Sequence, residues 1–399
     1  MQASGGTRGA ADAGHGEQTP GGLAANSPRM AWLYRDLTGS AIPLRVRALI
    51  IFGIIHIFTK GPDEMLTWMD SLKGRSMMRL ASFTDEEMKN LIELSAQLKA
   101  RRAAGVRGDL LHRKNVALIF EKSSTRTRNS TLIAIRDEGG NGEYLTRPDI
   151  HFGKKESVKD TARVLGRIYD GILFRGFRQS DCEDLAKYSG VPVWNGLTDD
   201  YHPTQIFADL LTMKENFGSL DANTCVAYVG DGRNNVANSL MMGCAKCGVR
   251  YVCCCPKELR PDEAVLAEAE AVARRNGVDI RVSENPTEGV KGANVLYTDV
   301  WVSMGEEAKT AERICQLRPY QINMDLMKAT GNLDGRLLFL HCLPAFHDFS
   351  TEVTKDCGAL EVTDEVFESK YSKVFDESEN RMHTIKALLV SALCDRAAV

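Results

Sequence analysis

The chain has 399 residues, 43% of them hydrophobic and 26% charged, with a formal net charge of −3. That length exceeds one ordinary core and implies two domains of a globular protein. A near-neutral balance excludes a global electrostatic fit to nucleic acid or an anionic membrane, so any anion site has to be local.

Residues 1–68 read differently from the rest. Positions 1–28 are rich in Gly, Ala, Ser and Thr without periodicity and read as disordered. The apolar run 49–58 is far short of the ~20 residues of a membrane span, and it starts too deep for a signal-peptide core. A transit peptide and a true start at Met65 or Met69 both stay open for this extension.

From about residue 71 the pattern becomes regular. A helix over 85–104 precedes an apolar strand at 116–120 and a helical pattern over 129–138. Between the last two stands Ser124-Thr125-Arg126-Thr127-Arg128. A buried strand breaking into a helix start offers free backbone N–H groups and the positive end of the helix dipole, which suit a phosphate. The hydroxyls of Ser124, Thr125 and Thr127 add donors, and Arg126 offers a planar fork to two oxygens.

The spacing then predicts a strand at 143–146, a helix over 156–169, a strand at 171–174 and a helix over 181–189. Arg175 ends the strand and can hold a second oxygen of the same anion. His202-Pro203-Thr204-Gln205 opens a long helix over 202–216; His202 can donate to a carbonyl and Gln205 can accept from an amide.

A second strand–helix series follows, with strands at 225–229, 251–255, 279–282, 295–300 and 337–340 and helices over 234–247 and 261–275. The segment Gly230-Asp231-Gly232-Arg233-Asn234-Asn235 lacks the third glycine of a dinucleotide loop, and its asparagines suit a small zwitterion better. Asp299 closes one strand and leads into Ser303-Met304-Gly305, read as a lid segment. His341 and Cys342 are neighbours in an extended run and point to opposite faces, so Cys342 reads as a lining group, not a nucleophile. Arg381 stands at the predicted start of a C-terminal helix, a third candidate anion contact. Alternating strands and helices imply an α/β fold: two domains, each a mostly parallel sheet flanked by helices, with the site in the cleft between them.

Eleven cysteines are no disulfide scaffold; Cys253, Cys254 and Cys255 share one strand, and Cys244 and Cys247 lie inside a helical pattern without further metal ligands. Reduced thiols in the cytoplasm fit this usage.

The ordered set Ser-Thr-Arg-Thr-Arg, His-Pro-Thr-Gln, Asp-x-x-x-Ser-Met-Gly and His-Cys-Leu-Pro resembles the ornithine carbamoyltransferases over about 71–393, and the runs 155–167 and 360–367 resemble their catabolic branch. This resemblance implies transfer of a carbamoyl group from carbamoyl phosphate to the δ-amine of L-ornithine, giving citrulline and phosphate, with no metal or organic cofactor. It places carbamoyl phosphate on Ser124, Thr125, Arg126, Thr127, Arg175, His202, Gln205, Cys342, Leu343 and Arg381. It places ornithine on Asn235, Asp299, Ser303 and Met304. The catalytic set it implies is Arg126, Arg175, His202, Asp299 and Cys342. Residues 69–204, completed by a helix at 378–396, are expected to form the carbamoyl phosphate domain, and 205–377 the ornithine domain, in a homotrimer or a multiple of trimers. One departure is the segment Ile150-His151-Phe152-Gly153-Lys154, which resembles putrescine carbamoyltransferases, whereas Ser303-Met304-Gly305 belongs to the ornithine enzymes. A putrescine-type enzyme and a non-catalytic anion-binding protein are the alternatives, and a nucleotide-dependent oxidoreductase is the weakest reading.

Overall fold

The computed structural model describes residues 68–302 and 310–395. The readings of residues 1–67 and of Ser303, Met304 and Gly305 lie outside the described residues.

Helix α1 (Asp85–Ala103) starts on a capping box between Thr84 and Glu87. Four strands follow: β1 (Asn115–Phe120), β2 (Asn141–Thr146), β3 (Gly171–Arg175) and β4 (Val193–Leu197). They form one all-parallel sheet of order β2-β1-β3-β4. Helices α2 (Thr125–Asp137), α3 (Val158–Leu165) and α4 (Gln179–Ser189) are its crossovers. The apolar β1 sequence Asn-Val-Ala-Leu-Ile-Phe has no polar alternation because both of its faces are covered.

Helix α5 (Pro203–Phe217) leads to a second all-parallel sheet. Its strands are β5 (Cys225–Val229), β6 (Arg250–Cys254), β7 (Ile280–Ser283), β8 (Val295–Thr298) and β9 (Leu338–His341), in the order β7-β6-β5-β8-β9. Helices α6 (Asn235–Cys247) and α7 (Glu263–Arg275) connect its first strands. The last long helix, α8 (Val374–Leu393), packs against α1, α2 and α5 and is buried throughout its second half. Two parallel α/β sheets with flanking helices are therefore present, as the alternation implies.

Each sheet reverses direction at one point, β1/β3 in the first and β5/β8 in the second. The crevice beyond the carboxyl ends of such strand pairs is where open α/β sheets take ligands. The pentapeptide follows β1 and Arg175 ends β3, and Asn234, Asn235 and Asp299 follow β5 and β8.

Three local differences from the sequence reading have physical causes. Strand β4 is absent from that reading because Asn195-Gly196 looks like a turn. In the fold Asn195 is buried with Nδ2 3.0 Å from Met78 O, and a Cβ on Gly196 would stand 2.9 Å from Leu173 Cδ2. Helix α8 begins at Val374, ahead of the expected start at 378, with Asp376 and Glu377 in its first turn where acids suit the dipole. Arg381 therefore lies well inside a helix, not at its start. Helix α2 likewise begins at Thr125, so the pentapeptide forms the cap and first turn instead of preceding the helix.

Cys253 and Cys255 enter one apolar cluster and Cys254 the other, on opposite faces of the second sheet. All eleven cysteines are free. No described helix is long and apolar enough to cross a membrane.

Candidate active site

The first turn of α2 is built by Ser124, whose Oγ accepts from Thr127 N at 3.1 Å. Thr125 is exposed and Thr127 buried. Arg126 reaches from this turn across to the second sheet, where Nη2 donates to Leu343 O. Arg128 leaves the group and lies over the Tyr144 ring at 3.8 Å.

Arg381 comes in from α8. Its Nη1 donates to Gln205 Oε1 and to His202 Nε2 (3.2 Å), and its Nη2 donates to Thr127 Oγ1 (3.0 Å) and Thr204 Oγ1 (3.2 Å). Arg381 is 2% exposed and Arg175 8%, and the Nε of each is buried without a partner. Among the described residues no carboxylate hydrogen-bonds Arg126, Arg175 or Arg381. Burial holds the Arg175 guanidinium down to about 10, and repulsion from Arg381 and Arg126 adds to it. Burial likewise brings Arg381 to about 10; Asp209 works against that fall and Arg126 with it. Three desolvated guanidiniums in mutual repulsion form a pocket of positive potential suited to a compact polyanion.

His202 caps α5 without using its side chain, so the ring is released to the site. A guanidinium only donates, so His202 Nε2 accepts and the ring proton lies on Nδ1, a buried donor with no protein partner. Burial, then Arg381, Arg175 and Arg126, hold this imidazole well below its ordinary range, and it stays neutral. Gln205 is tied on both sides of its amide: Nε2 donates to Asp209 Oδ1 (2.8 Å) and Glu377 Oε1 (2.7 Å).

On the second sheet Asp299 is buried at the end of β8. It accepts from Asn234 Nδ2 (3.0 Å), Val300 N (2.8 Å) and Cys342 Sγ (3.0 Å). Burial and this carboxylate push the Cys342 thiol well above its usual range, so it is a protonated donor. His341 is turned away: Nε2 stands 3.3 Å from Glu361 Oε1 and Nδ1 accepts from Leu343 N at 2.9 Å. Leu343 has φ 56°, a strained value for a branched residue, held by that bond and by Arg126.

Seven of the sequence-selected residues thus converge: Arg126, Thr127, Arg175, His202, Gln205, Arg381 and, across the junction, Leu343. Asp299 and Cys342 form a second group beside Arg126, whose guanidinium feels both. Asn235 does not point to Asp299; its Nδ2 donates to Thr198 O at 2.6 Å. Its neighbour Asn234 takes that position. Thr204, Asp209, Tyr297 and Glu377 were given no role by sequence reasoning. Two of them carry a signal, since Gln205/Asp209 and Glu377/Arg381 are each spaced i,i+4 on one helix face.

Guanidinium-lined strand ends on one sheet, joined to a carboxylate and thiol on the other, define an α/β protein with two adjoining ligand subsites. The family description for the carbamoyl-P binding domain of aspartate/ornithine carbamoyltransferase matches residues 75–215, and that for its Asp/Orn binding domain matches 222–392. The catabolic ornithine carbamoyltransferase of Bacillus licheniformis is 54% identical over 331 residues, covering 82% of this chain and 98% of that protein. The corresponding Enterococcus faecalis protein is 53% identical over 327 residues, covering 80% and 96%. The solved ornithine carbamoyltransferase of Pyrococcus furiosus superposes with a TM-score of 0.74 at 41% identity, covering 81% of this chain and 98% of that one. The chain belongs to the aspartate/ornithine carbamoyltransferase family.

Proposed function

We propose that this protein transfers the carbamoyl group of carbamoyl phosphate to the δ-amine of L-ornithine, forming L-citrulline and phosphate. The observation that carries the proposal is that Arg126, Arg175 and Arg381 stand close enough to repel one another, with no carboxylate bonded to them among the described residues. A dianionic phosphate neutralises that repulsion.

In this reading the phosphate lies on the first turn of α2, with Ser124, Thr125, Arg126 and Thr127, and on Arg175 and Arg381. The carbamoyl oxygen accepts from Arg126 and from the Nδ1–H of neutral His202. Gln205, Cys342 and Leu343 border the carbamoyl group. Ornithine lies on the second sheet, with Asp299 and Asn235 as contacts; Ser303 and Met304, outside the described residues, complete its set by resemblance. The δ-ammonium has a pKa near ~10 in water and loses a proton in the cationic, desolvated site. Its lone pair attacks the carbamoyl carbon, and the oxyanion gathers on the preorganised donors. The C–O bond to phosphate then breaks, and the leaving phosphate takes the second amine proton. The protonated Cys342 donates to Asp299 and forms no covalent intermediate.

Residues 69–204 with α8 act as the carbamoyl phosphate half and the chain between 205 and the start of α8 as the ornithine half, in a homotrimer or a multiple of trimers. The free thiols fit a reducing cytoplasm. Relatives carrying the catabolic name support use of the same site for citrulline phosphorolysis in arginine degradation. The test is product stoichiometry: purified protein with carbamoyl phosphate and ornithine yields citrulline and phosphate in equal amounts. Phosphate release without citrulline refutes the transfer.

A further inference from the structure

The backbone N–H of His202 is held by a residue that no step of the proposed transfer uses. His202 has φ −132° and ψ 61°, neither helical nor strand-like, so its N–H lies outside any regular ladder. Pro203, the first residue of α5, has no N–H of its own. The His202 N–H donates instead to Ser239 Oγ on α6, at 2.9 Å. Both residues are buried, with 4% and 2% exposure. The imidazole leaves the same backbone unit for Arg381, so its direction depends on where that unit is pinned.

Ser239 does not act alone. Asn235, Asn238 and Ser239 are spaced i, i+3, i+4 and share one face of α6. Asn235 Nδ2 donates to Thr198 O at 2.6 Å, and Asn238 Nδ2 donates to Asp200 O at 3.2 Å. With Ser239 on His202 N, this face takes every second residue of the loop from β4 to α5. Within the loop Thr198 N donates to Tyr201 O at 2.9 Å and Tyr201 N to Thr198 Oγ1 at 3.2 Å, which closes it into one turn. The same helix is capped by Asn234, whose amide donates to Asp299. In the proposed reading, one helix of the second sheet therefore carries contacts to the ornithine subsite and to the imidazole of the carbamoyl phosphate subsite.

We propose that Ser239, backed by Asn238, is a positioning residue for His202: it pins the peptide from which the imidazole is aimed, so that Nδ1–H stands at the carbamoyl oxygen. The inference rests on the carbamoyl phosphate reading of the site. In that reading Ser239 touches neither substrate and acts through His202 alone. Without its oxygen the His202 N–H is buried unpaired, a penalty that a shift of the loop relieves. The ring then moves with the loop. The phosphate, held by Arg126, Arg175 and Arg381, stays in place. The loss therefore falls on the chemical step more than on binding.

The experiment is a double-mutant cycle between Ser239→Ala and His202→Ala, read as kcat and as KM for both substrates. Ser239→Ala is expected to lower kcat by at least ~10-fold and to raise the KM for carbamoyl phosphate by a smaller factor. His202→Ala is expected to lose roughly 100- to 1,000-fold in kcat, as removal of one oxyanion donor does, which leaves a measurable rate. In that background Ser239→Ala should cost less than about threefold more, because no imidazole is left to aim. A merely structural role would lower kcat by the same factor in both backgrounds, through the folded fraction. Equal losses in the two backgrounds, or a Ser239→Ala kcat within about threefold of wild type, overturn the proposal and leave the site reading in place. If Ser239→Ala does not fold, Asn238→Ala goes through the same cycle: a loss confined to the His202 background is expected, and equal losses overturn the proposal. Failure of the site reading itself shows separately, as a wild type that makes no citrulline.

Discussion

Arg381 Nη1 stands 3.2 Å from His202 Nε2, and this one contact sets the tautomer of the imidazole. The guanidinium has no acceptor, so the ring proton is forced onto Nδ1. In the proposed reading, the cluster that takes the phosphate thereby also prepares the donor for the carbamoyl oxygen. Nitrogen NMR of His202 should show a neutral ring protonated on Nδ1, unchanged as pH falls through the ordinary imidazole range near ~6.5. A ring that becomes cationic across that range contradicts the arrangement.

Arg126 joins the two sheets through Leu343 O, and in the proposed reading its remaining donors serve the reacting group. Arg126→Ala removes charge and fork geometry together, and kcat/KM should fall by more than ~100-fold. A change under about tenfold refutes its role.

Arg381 serves four acceptors on two elements, α2 and the capped start of α5, which a lysine cannot reproduce with one ammonium. Arg381→Lys keeps the charge, yet the KM for carbamoyl phosphate should rise by at least ~30-fold. Near-wild-type kinetics would mean that charge alone suffices.

Cys342 is a donor to Asp299, not a nucleophile. Cys342→Ser keeps a hydroxyl donor and should retain kcat within about tenfold, with no covalent carbamoyl adduct by mass spectrometry in either form. A stable adduct on wild-type Cys342 would replace direct transfer with a two-step route.

His383 on α8 is buried with Nδ1 unpartnered, and burial lowers its pKa to about 4. The unfolded chain takes up a proton near ~6.5, before the folded one does, so stability is lost as pH falls from there to about 4. His383→Gln lacks that loss. Relative to wild type, its Tm should therefore improve as pH falls through this window, which thermal melts at several pH values measure. A constant difference would show that His383 does not titrate as placed.

Apart from β4 the strands of both sheets were legible, and β1, β3 and β5 are buried on both faces and leave no polar alternation to misread. The anion cluster was legible because hydroxyls and guanidiniums stood at strand ends. Strand β4 was hidden by Asn195-Gly196, whose roles are a buried amide bond to Met78 and close packing on Leu173, neither visible locally. The start of α8 was hidden because Glu377 looks like a solvated acid until α5, β8 and β9 close around it. Which of the two adjacent amides a helix cap turns toward Asp299 is not legible from spacing, and in the fold it is Asn234.

The most direct measurement is kcat/KM for ornithine, putrescine and aspartate, each with saturating carbamoyl phosphate and purified protein. The site described here, with Asp299 beside the reacting group and Ser303-Met304-Gly305 in sequence after it, predicts a strong preference for ornithine. Preference for putrescine would contradict it and assign specificity to the segment around His151; activity with none of the three would leave a non-catalytic anion-binding protein.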